Sequence, residues 1–417
     1  MKAWVLHDIG DIRFEEKKMP EPGEGEVLVR VKAAGVCGSD IPRIYQTGAH
    51  RMPLIPGHEF SGVVEKVGAG VVLKSGSTDA SGGDADDSRA DDLIGKRVSV
   101  FPLIPCRKCE PCRNGHYEMC RNYDYTGSRR DGAFAEYVSV PADNLIEIPD
   151  GVSFEAAAMA EPMAVAVHAM RIGLIDIFPK RASNTGAGCE LYENTEEISG
   201  KKQGLRIVVC GLGTIGLLIV QFLLDAGFED IYLIGNKDFQ FDLAGRLGVG
   251  KDRICDSRSE NVCEWIEKRC DGADVFFECV GKNETLIYGV SAAAPGAHVV
   301  TVGNPSSDMT LPRDVYWKIL RNQLKVSGTW NSSFTLRQIF RADHNTVGQK
   351  LLDPADSLMS YDPVPDDWQY VMDRLKNGSI DPEILITHSF LIDELEKGFL
   401  IMRDKMQDYV KVMAKIN

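Results

Sequence analysis

The sequence has no apolar run long enough to cross a bilayer. Its most apolar stretch, Leu212 to Leu224, is broken by Gly213, Thr214, Gly216 and Gln221. It falls short of the ~20 residues that a spanning helix needs. No secretory signal is expected either, because Asp8, Asp11 and Arg13 come before any long apolar segment. Positive charge is in deficit: 47 Lys and Arg stand against 61 Asp and Glu, a net −14. An acidic body repels a phosphate backbone, which disfavours a general nucleic-acid binder. Gly and Pro together make 59 of the 417 residues, about half the ~25–30% that marks low-complexity chains. The 11 cysteines are an odd number in a long chain, unlike the even count of a short secreted disulfide framework. Reduced thiols in a cytoplasm, some of them on metal, fit better. A soluble, cytoplasmic protein is expected. At ~100–200 residues per domain it has two or three domains.

What is present changes period along the chain. The first third is β-rich: Val27-Leu-Val-Arg-Val-Lys alternates apolar and polar, and short runs such as Lys96-Arg-Val-Ser-Val sit between Gly- and Pro-rich turns. The middle has apolar strands at Arg206–Cys210, Ile231–Ile234, Val275–Cys279, His298–Val302 and Leu324–Gly328, several of them separated by helical sequence. Strands alternating with helices imply βαβ units and a parallel sheet. Helices are expected near Asp366–Lys376 and Ile392–Arg403, and a last strand at Tyr409–Ile416. Two stretches read as insertions. Lys74–Asp92 carries six Asp among Gly, Ser and Ala, and Phe178–Gly204 is polar. The first reads most simply as a solvated loop; the second is a long loop, with an oligomer contact or a lid as alternatives.

Three constellations carry chemistry. Cys106-x-x-Cys109-x-x-Cys112, followed after seven residues by Cys120, can wrap one tetrahedral zinc with no open position, a structural site. An iron–sulfur run would place its fourth Cys after three residues and follow it with Pro. Secondly, Cys37, His58 and Glu161 supply a thiolate, an imidazole and a carboxylate, which suit an open zinc site with room for a substrate oxygen. Asp40 or Glu59 could hold the other ring nitrogen of His58. Thirdly, Gly211-Leu-Gly213-Thr214-Ile215-Gly216 follows a buried strand and opens an apolar helix, the context the dinucleotide fingerprint requires. Its glycines make the turn, admit the pyrophosphate and pack helix on strand, while the helix N-terminus offers N–H groups to phosphate. The next strand ends Gly235-Asn236-Lys237, where an NAD site usually has an acid. Without that acid, and with Lys237 near, NADP(H) is expected in preference to NAD(H). The alternative is that Asp238 or backbone groups serve NAD.

Zinc beside a nicotinamide site resembles the medium-chain zinc-dependent dehydrogenases, and most of all their polyol branch. The resemblance rests on Cys37-Gly-Ser-Asp-Ile-Pro-Arg-Ile, Gly48-Ala-His, Gly57-His-Glu-Phe-Ser-Gly, Gly127-Ser-Arg-Arg-Asp-Gly, Glu161-Pro and Lys318-Ile-Leu-Arg-Asn-Gln-Leu-Lys-Val-Ser-Gly-Thr-Trp. It implies an α/β protein in two parts: a GroES-like, β-rich catalytic domain from residues 1–165 and 331–417, and a Rossmann domain with a doubly wound parallel sheet over 166–330. It also implies a homodimer or homotetramer. Carried over by position, Cys37, His58 and Glu161 are catalytic zinc ligands and Glu59 is a further ligand or exchanges with water. Ser39 passes the hydroxyl proton. Where several members have a relay His, this chain has Pro42. Val280, Val302, Gly303 and Asn304 face the cofactor, and Lys411 lies near the pyrophosphate.

The implied chemistry moves hydride between a secondary alcohol and the nicotinamide, with zinc lowering the hydroxyl pKa and Ser39 accepting its proton. The small-molecule substrate is expected to be a polyol phosphate of the galactitol or sorbitol type, interconverted with its ketose phosphate. Arg43, His50, Arg129, Arg130, Trp330 and Asn331 are the candidate substrate contacts, since an Arg fork suits phosphate. A free polyol is the runner-up. A zinc-free quinone reductase and a non-enzymatic nucleotide-binding protein are the remaining alternatives.

Overall fold

The computed structural model describes residues 1–71, 90–178, 200–305, 307–336 and 366–417. Both insertions, and the expectations about them, fall almost wholly outside the described residues. In chain order the strands are β1 (Lys2–Asp8), β2 (Asp11–Glu16), β3 (Glu26–Val36), β4 (Glu59–Val67), β5 (Arg97–Val100), β6 (Leu103–Ile104), β7 (Asp124–Tyr125), β8 (Tyr137–Pro141) and β9 (Leu145–Glu147). There follow β10 (Ile207–Cys210), β11 (Ile231–Gly235), β12 (Ile254–Asp256), β13 (Ala273–Glu278), β14 (Ala293–Thr301) and β15 (Lys325–Gly328), then β16 (Ile386–Leu391) and β17 (Lys411–Lys415).

The chain divides into two compact units. The first comprises Met1–Glu161, Ser333–Asn377 and Ile386–Asn417, and the second Pro162–Ser332 and Gly378–Leu385. That last segment returns to the second unit, where the turn Pro382–Leu385 packs on the helix Thr214–Asp225. Nothing in the local sequence foretold the return.

The first unit is built on a seven-stranded sheet in the order β16-β17-β3-β4-β5-β9, with β8 also on β3. Val27, Val29 and Val31 of β3 are fully buried at every second position, so one face of the strand enters the core, as a period of two requires. Each such apolar side chain contributes roughly 1.5–3 kcal/mol on burial. The C-terminal strand β17 pairs antiparallel with β3, Met413 opposite Gly35. β3 in turn pairs with β4, Gly35 opposite Glu59. Chain end and chain start therefore share one sheet.

The second unit holds six parallel strands in the order β12-β11-β10-β13-β14-β15. This is the 3-2-1-4-5-6 order of a dinucleotide-binding sheet. All four residues of β10 are buried, as expected of a strand covered on both faces. Among the described residues, no helix is long and apolar enough to cross a membrane.

In the first unit Phe101 stacks on Phe334 at 4.7 Å, and Trp368 meets both edge-on at 5.7 and 5.9 Å. Trp368 is fully buried. Trp368→Ala leaves a cavity that this three-ring cluster cannot close, and should cost about 3–5 kcal/mol of unfolding free energy. Denaturant titration measures it; a loss below about 1 kcal/mol, the size of a surface substitution, contradicts the packing argument.

Candidate active site

Cys37 lies just beyond β3, His58 just precedes β4, and Glu59 begins it. Because the two strands are paired, one ligand atom from each of Cys37, His58 and Glu59 lies within 4.8 Å of the others. Their surroundings are polar and deeply buried. Asp40, fully buried, accepts the Cys37 N–H at 3.0 Å and Arg43 Nη1 at 2.5 Å, and faces His58 Nδ1 at 3.5 Å. Ser39 Oγ donates to Cys37 Sγ at 3.2 Å. Burial disfavours charge on the His58 ring, but Asp40 and Cys37 outweigh it and raise its pKa well above the usual value. The same imidazole, with Arg43 and the Cys37 N–H, holds Asp40 low against its own burial. The cavity is thus built to hold positive charge among anions, and thiolate, imidazole and carboxylate are the donors zinc takes.

Glu161 stands at the start of the helix Ala160–Leu174, buried. It lies outside the three-atom cluster, with Oε1 accepting the Tyr125 hydroxyl at 3.2 Å. Its carboxyl is nonetheless in the field of His58, Glu59 and Lys411. Tyr125 was not singled out from sequence. Only its place in β7, next to the cysteine loop, brings it to the site.

A second cluster joins Cys106, Cys109, Cys112 and Cys120 between β6 and β7. The sulfurs of Cys109 and Cys112 are 3.4 Å apart, those of Cys109 and Cys120 3.9 Å, and those of Cys106 and Cys112 4.0 Å. A tetrahedron of 2.3 Å Zn–S bonds needs separations of about 3.8 Å, so the four thiols fit one ion. Backbone N–H groups of Arg121 and Cys112 draw the Cys109 thiol down to about 6.

In the second unit Gly211 has φ +99°, a conformation open to glycine. A Cβ on Gly216 would fall 1.9 Å from the Gly211 carbonyl oxygen, whereas one on Gly213 would meet nothing within 4 Å. Helix and turn are locked together while the space over Gly213 stays open, as a pyrophosphate cradle requires. Thr214 and Ile215 begin the helix there, and Val280 leans over Gly211. Val302, Gly303 and Asn304 follow the adjacent strand β14.

Comparison with known proteins agrees with this geometry. Residues 23–150 match the alcohol dehydrogenase GroES-like domain, and residues 214–347 match the zinc-binding dehydrogenase family. A galactitol 1-phosphate 5-dehydrogenase of Escherichia coli (strain K12) is 32% identical over 332 residues, 79% of this chain and 83% of that protein. The chain belongs to the medium-chain zinc-dependent dehydrogenases. The crystal structure of galactitol-1-phosphate dehydrogenase from Escherichia coli is similar with a TM-score of 0.74 at 26% identity, covering 100% of both chains. A zinc-binding dehydrogenase of Sinorhizobium meliloti 1021, solved with NADP, has a TM-score of 0.73 at 25% identity, covering 99% of this chain and 98% of that one. The chain is accordingly an oxidoreductase of GroES-like plus Rossmann architecture.

Within this zinc dehydrogenase the expected substrate residues separate. Ser39, Arg43 and His50 line one pocket of about 340 Å³ with Thr47, Gly48 and Ala49. Arg129 acts on it: burial, then Arg129 and Arg43, lower the His50 pKa. Arg130 does not share in this. Its guanidinium is held by Glu26 at 2.6 Å at the β3–β8 edge, where Ser139 also donates to Glu26. Trp330, 54% exposed, and Asn331, buried, follow β15 in the second unit. Lys411, expected near the pyrophosphate, is buried with its ammonium on Glu59.

Burial lifts the Glu161 carboxyl to about 7, the Glu59 charge adding to it against His58 and Lys411. A raised acid pKa keeps a proton below pH 7 that an ordinary carboxyl, at 4.5, has lost. Ligation needs the carboxylate. Zinc loading of metal-free protein at pH 6 should therefore release about one more proton from wild type than from Glu161→Gln, and the difference should vanish by pH 8. Calorimetry in buffers of different ionisation enthalpy reads this; equal release at pH 6 is the contrary result.

Proposed function

We propose that the protein interconverts a polyol phosphate and its ketose phosphate by hydride exchange with a nicotinamide dinucleotide, NADP(H) in preference to NAD(H). The carrying observation is the arginine-bearing pocket beside Ser39. Arg43 and His50 line it, and Arg129 adds a guanidinium stacked on Tyr123 at 4.7 Å, its Nε buried without a partner among the described residues. A pocket with arginines at hand, and with Ser39, the hydrogen-bond partner of Cys37, on its wall, suits a molecule with a hydroxyl near one end and a phosphate at the other. The relative that acts on galactitol 1-phosphate supports the same substrate class.

When bound, zinc supplies Lewis acidity to the reacting hydroxyl and the dinucleotide accepts hydride. Cys37, His58 and Glu161 would hold the metal, with Glu59 as a further or exchanging ligand; Cys106, Cys109, Cys112 and Cys120 would hold the second ion. Asp40 orients His58 through its ring nitrogen. Ser39, on the pocket wall, takes the hydroxyl proton at Oγ. Pro42 has no group to carry a proton onward from Ser39. His50, its pKa lowered, is neutral at pH 7 and leaves anion recognition to the arginines.

For the cofactor, Gly235 ends β11 with Leu212 and Phe241 so close that a Cβ would meet them at 2.9 and 2.7 Å. A side chain at 235 would therefore require Phe241 and Leu212 to shift. Asn236 and Lys237 follow Gly235. Arg258, which sequence reading passed over, stands at the same sheet edge: its neighbour Ser257 donates to the Gly235 carbonyl, and its guanidinium lies on Asp256 and Asp238. Arg258 is thus already paired with two carboxylates, and Lys237, with no acid at 235, is what supports NADP(H). The family supports a homodimer or homotetramer in a cytoplasm; the described cysteines form no disulfide.

A panel of galactitol 1-phosphate, sorbitol 6-phosphate, free polyols and their ketoses tests the substrate. Phosphorylated substrates should turn over fastest. Arg129→Leu should raise their KM about ten- to hundredfold, the loss of a charge-assisted hydrogen bond, and leave free polyols unchanged. Turnover of free polyols alone would falsify the phosphate reading. With both cofactors, kcat/KM should favour NADPH over NADH, and Lys237→Ala should shrink that ratio; a wild-type preference for NADH refutes it.

A further inference from the structure

Glu278 is a carboxylate, 1% exposed, that the proposed chemistry does not use. It ends β13, beside β10 at the point where the strand order of the parallel sheet reverses. Its Oε1 accepts the N–H of Val280 at 2.8 Å, the N–H of Gly281 at 2.9 Å and the Thr285 hydroxyl at 2.7 Å. Its main-chain carbonyl accepts the N–H of Val302 at 2.8 Å and of Gly303 at 2.9 Å. One residue thus receives five donors, four from two neighbouring loops and one from the helix Asn283–Ser291.

Those loops interlock. A Cβ on Gly303 would lie 2.1 Å from the Gly281 nitrogen, and one on Gly281 would lie 2.3 Å from the Asn304 carbonyl oxygen. Together they border the glycine turn: a Cβ on Gly211 would lie 2.5 Å from Val280 Cγ2. The cradle thus has the turn on β10 as one wall and the 280–281 loop as the other.

We infer that Glu278 is a positioning residue for the dinucleotide, its Oε1 fixing the Val280–Gly281 wall against Gly211. This rests on the reading that the cofactor occupies that cradle. The carboxylate never touches the cofactor. Without it, two N–H groups and a hydroxyl lose their common acceptor, and the wall no longer has one conformation to offer. An amide Oε1 can still accept all three, so shape, and not negative charge, is what Glu278 supplies.

The test uses zinc-loaded, full-length protein and fluorescence titration with NADPH and NADH. Wild type that binds neither refutes the cofactor reading itself, before any variant is made. Given binding, Glu278→Ala should raise the Kd of the preferred dinucleotide about tenfold or more, and Glu278→Gln by no more than about threefold. The KM for the polyol substrate at saturating dinucleotide should stay within about twofold of wild type, because the loss is in cofactor binding and not in the substrate pocket. A purely structural role would lower Tm in both variants and leave Kd alone. Wild-type Kd in folded Glu278→Ala, or equal weakening in Glu278→Gln, overturns the inference. If Glu278→Ala does not fold, Thr285→Val removes one of the three donors; its Kd should rise about threefold, and an unchanged Kd overturns the inference.

Discussion

The buried pair of Glu59 and Lys411 is the interaction on which the candidate active site depends. Its partners are 352 residues apart and both are almost wholly inaccessible. Removing one charge from such a pair leaves the other buried and uncompensated, at a cost of about 3–5 kcal/mol. The pair can form only where β17 and β4 flank β3, and only because Gly35 has no side chain. A Cβ there would lie 2.3 Å from Glu59 Oε2 and 2.8 Å from Lys411 Cε. The same closure sets Cys37 against His58 and brings Asp40 to both. The last strand is therefore more than an edge added to a finished sheet, because it carries the cation that lets a carboxylate sit beside the metal donors.

The second unit meets a similar need by other means. Parallel strands leave their carboxyl ends pointing at one edge, and a crevice opens where the strand order reverses. That crevice must be wide enough for pyrophosphate and still have defined walls. The open space over Gly213 supplies the width; the contact of Gly216 with Gly211 and the five bonds to Glu278 supply the definition. In both units a buried carboxylate organises backbone and side chains around a glycine that no larger residue could replace.

These features differ in how far the sequence exposes them. The dinucleotide fingerprint and the four-cysteine loop are local, because each geometry is made by residues a few positions apart, and spacing alone carries the message. Five of the six strands of the parallel sheet are legible for the same reason, as short apolar runs between turns, whereas the three-residue β12 is too short to show as one. The Glu59–Lys411 pair, the Arg130–Glu26 pair and the Tyr125–Glu161 bond join residues separated by 352, 104 and 36 positions. No periodicity records such a pairing. Lys411 therefore read only as a cation somewhere near phosphate, and Tyr125 did not read as a site residue at all. Glu278 was hidden differently: it looked like one polar residue closing an apolar strand, and its role appears only when two loops are seen to converge on it.

The adjacent arginines Arg129 and Arg130 show why net charge says little about a site. The chain carries −14 overall, yet each arginine meets its own surroundings. Arg130 finds Glu26 on β3 and is neutralised there. Arg129 finds the face of Tyr123. An aromatic face attracts a guanidinium but does not occupy its N–H edges as a carboxylate does. Its stacking therefore orders the side chain while keeping those edges for an anion. Beside it, Asp40 answers the charge of Arg43 and also faces His58 Nδ1 within the candidate metal cluster. One buried carboxylate thus meets both the pocket residue Arg43 and the candidate metal ligand His58.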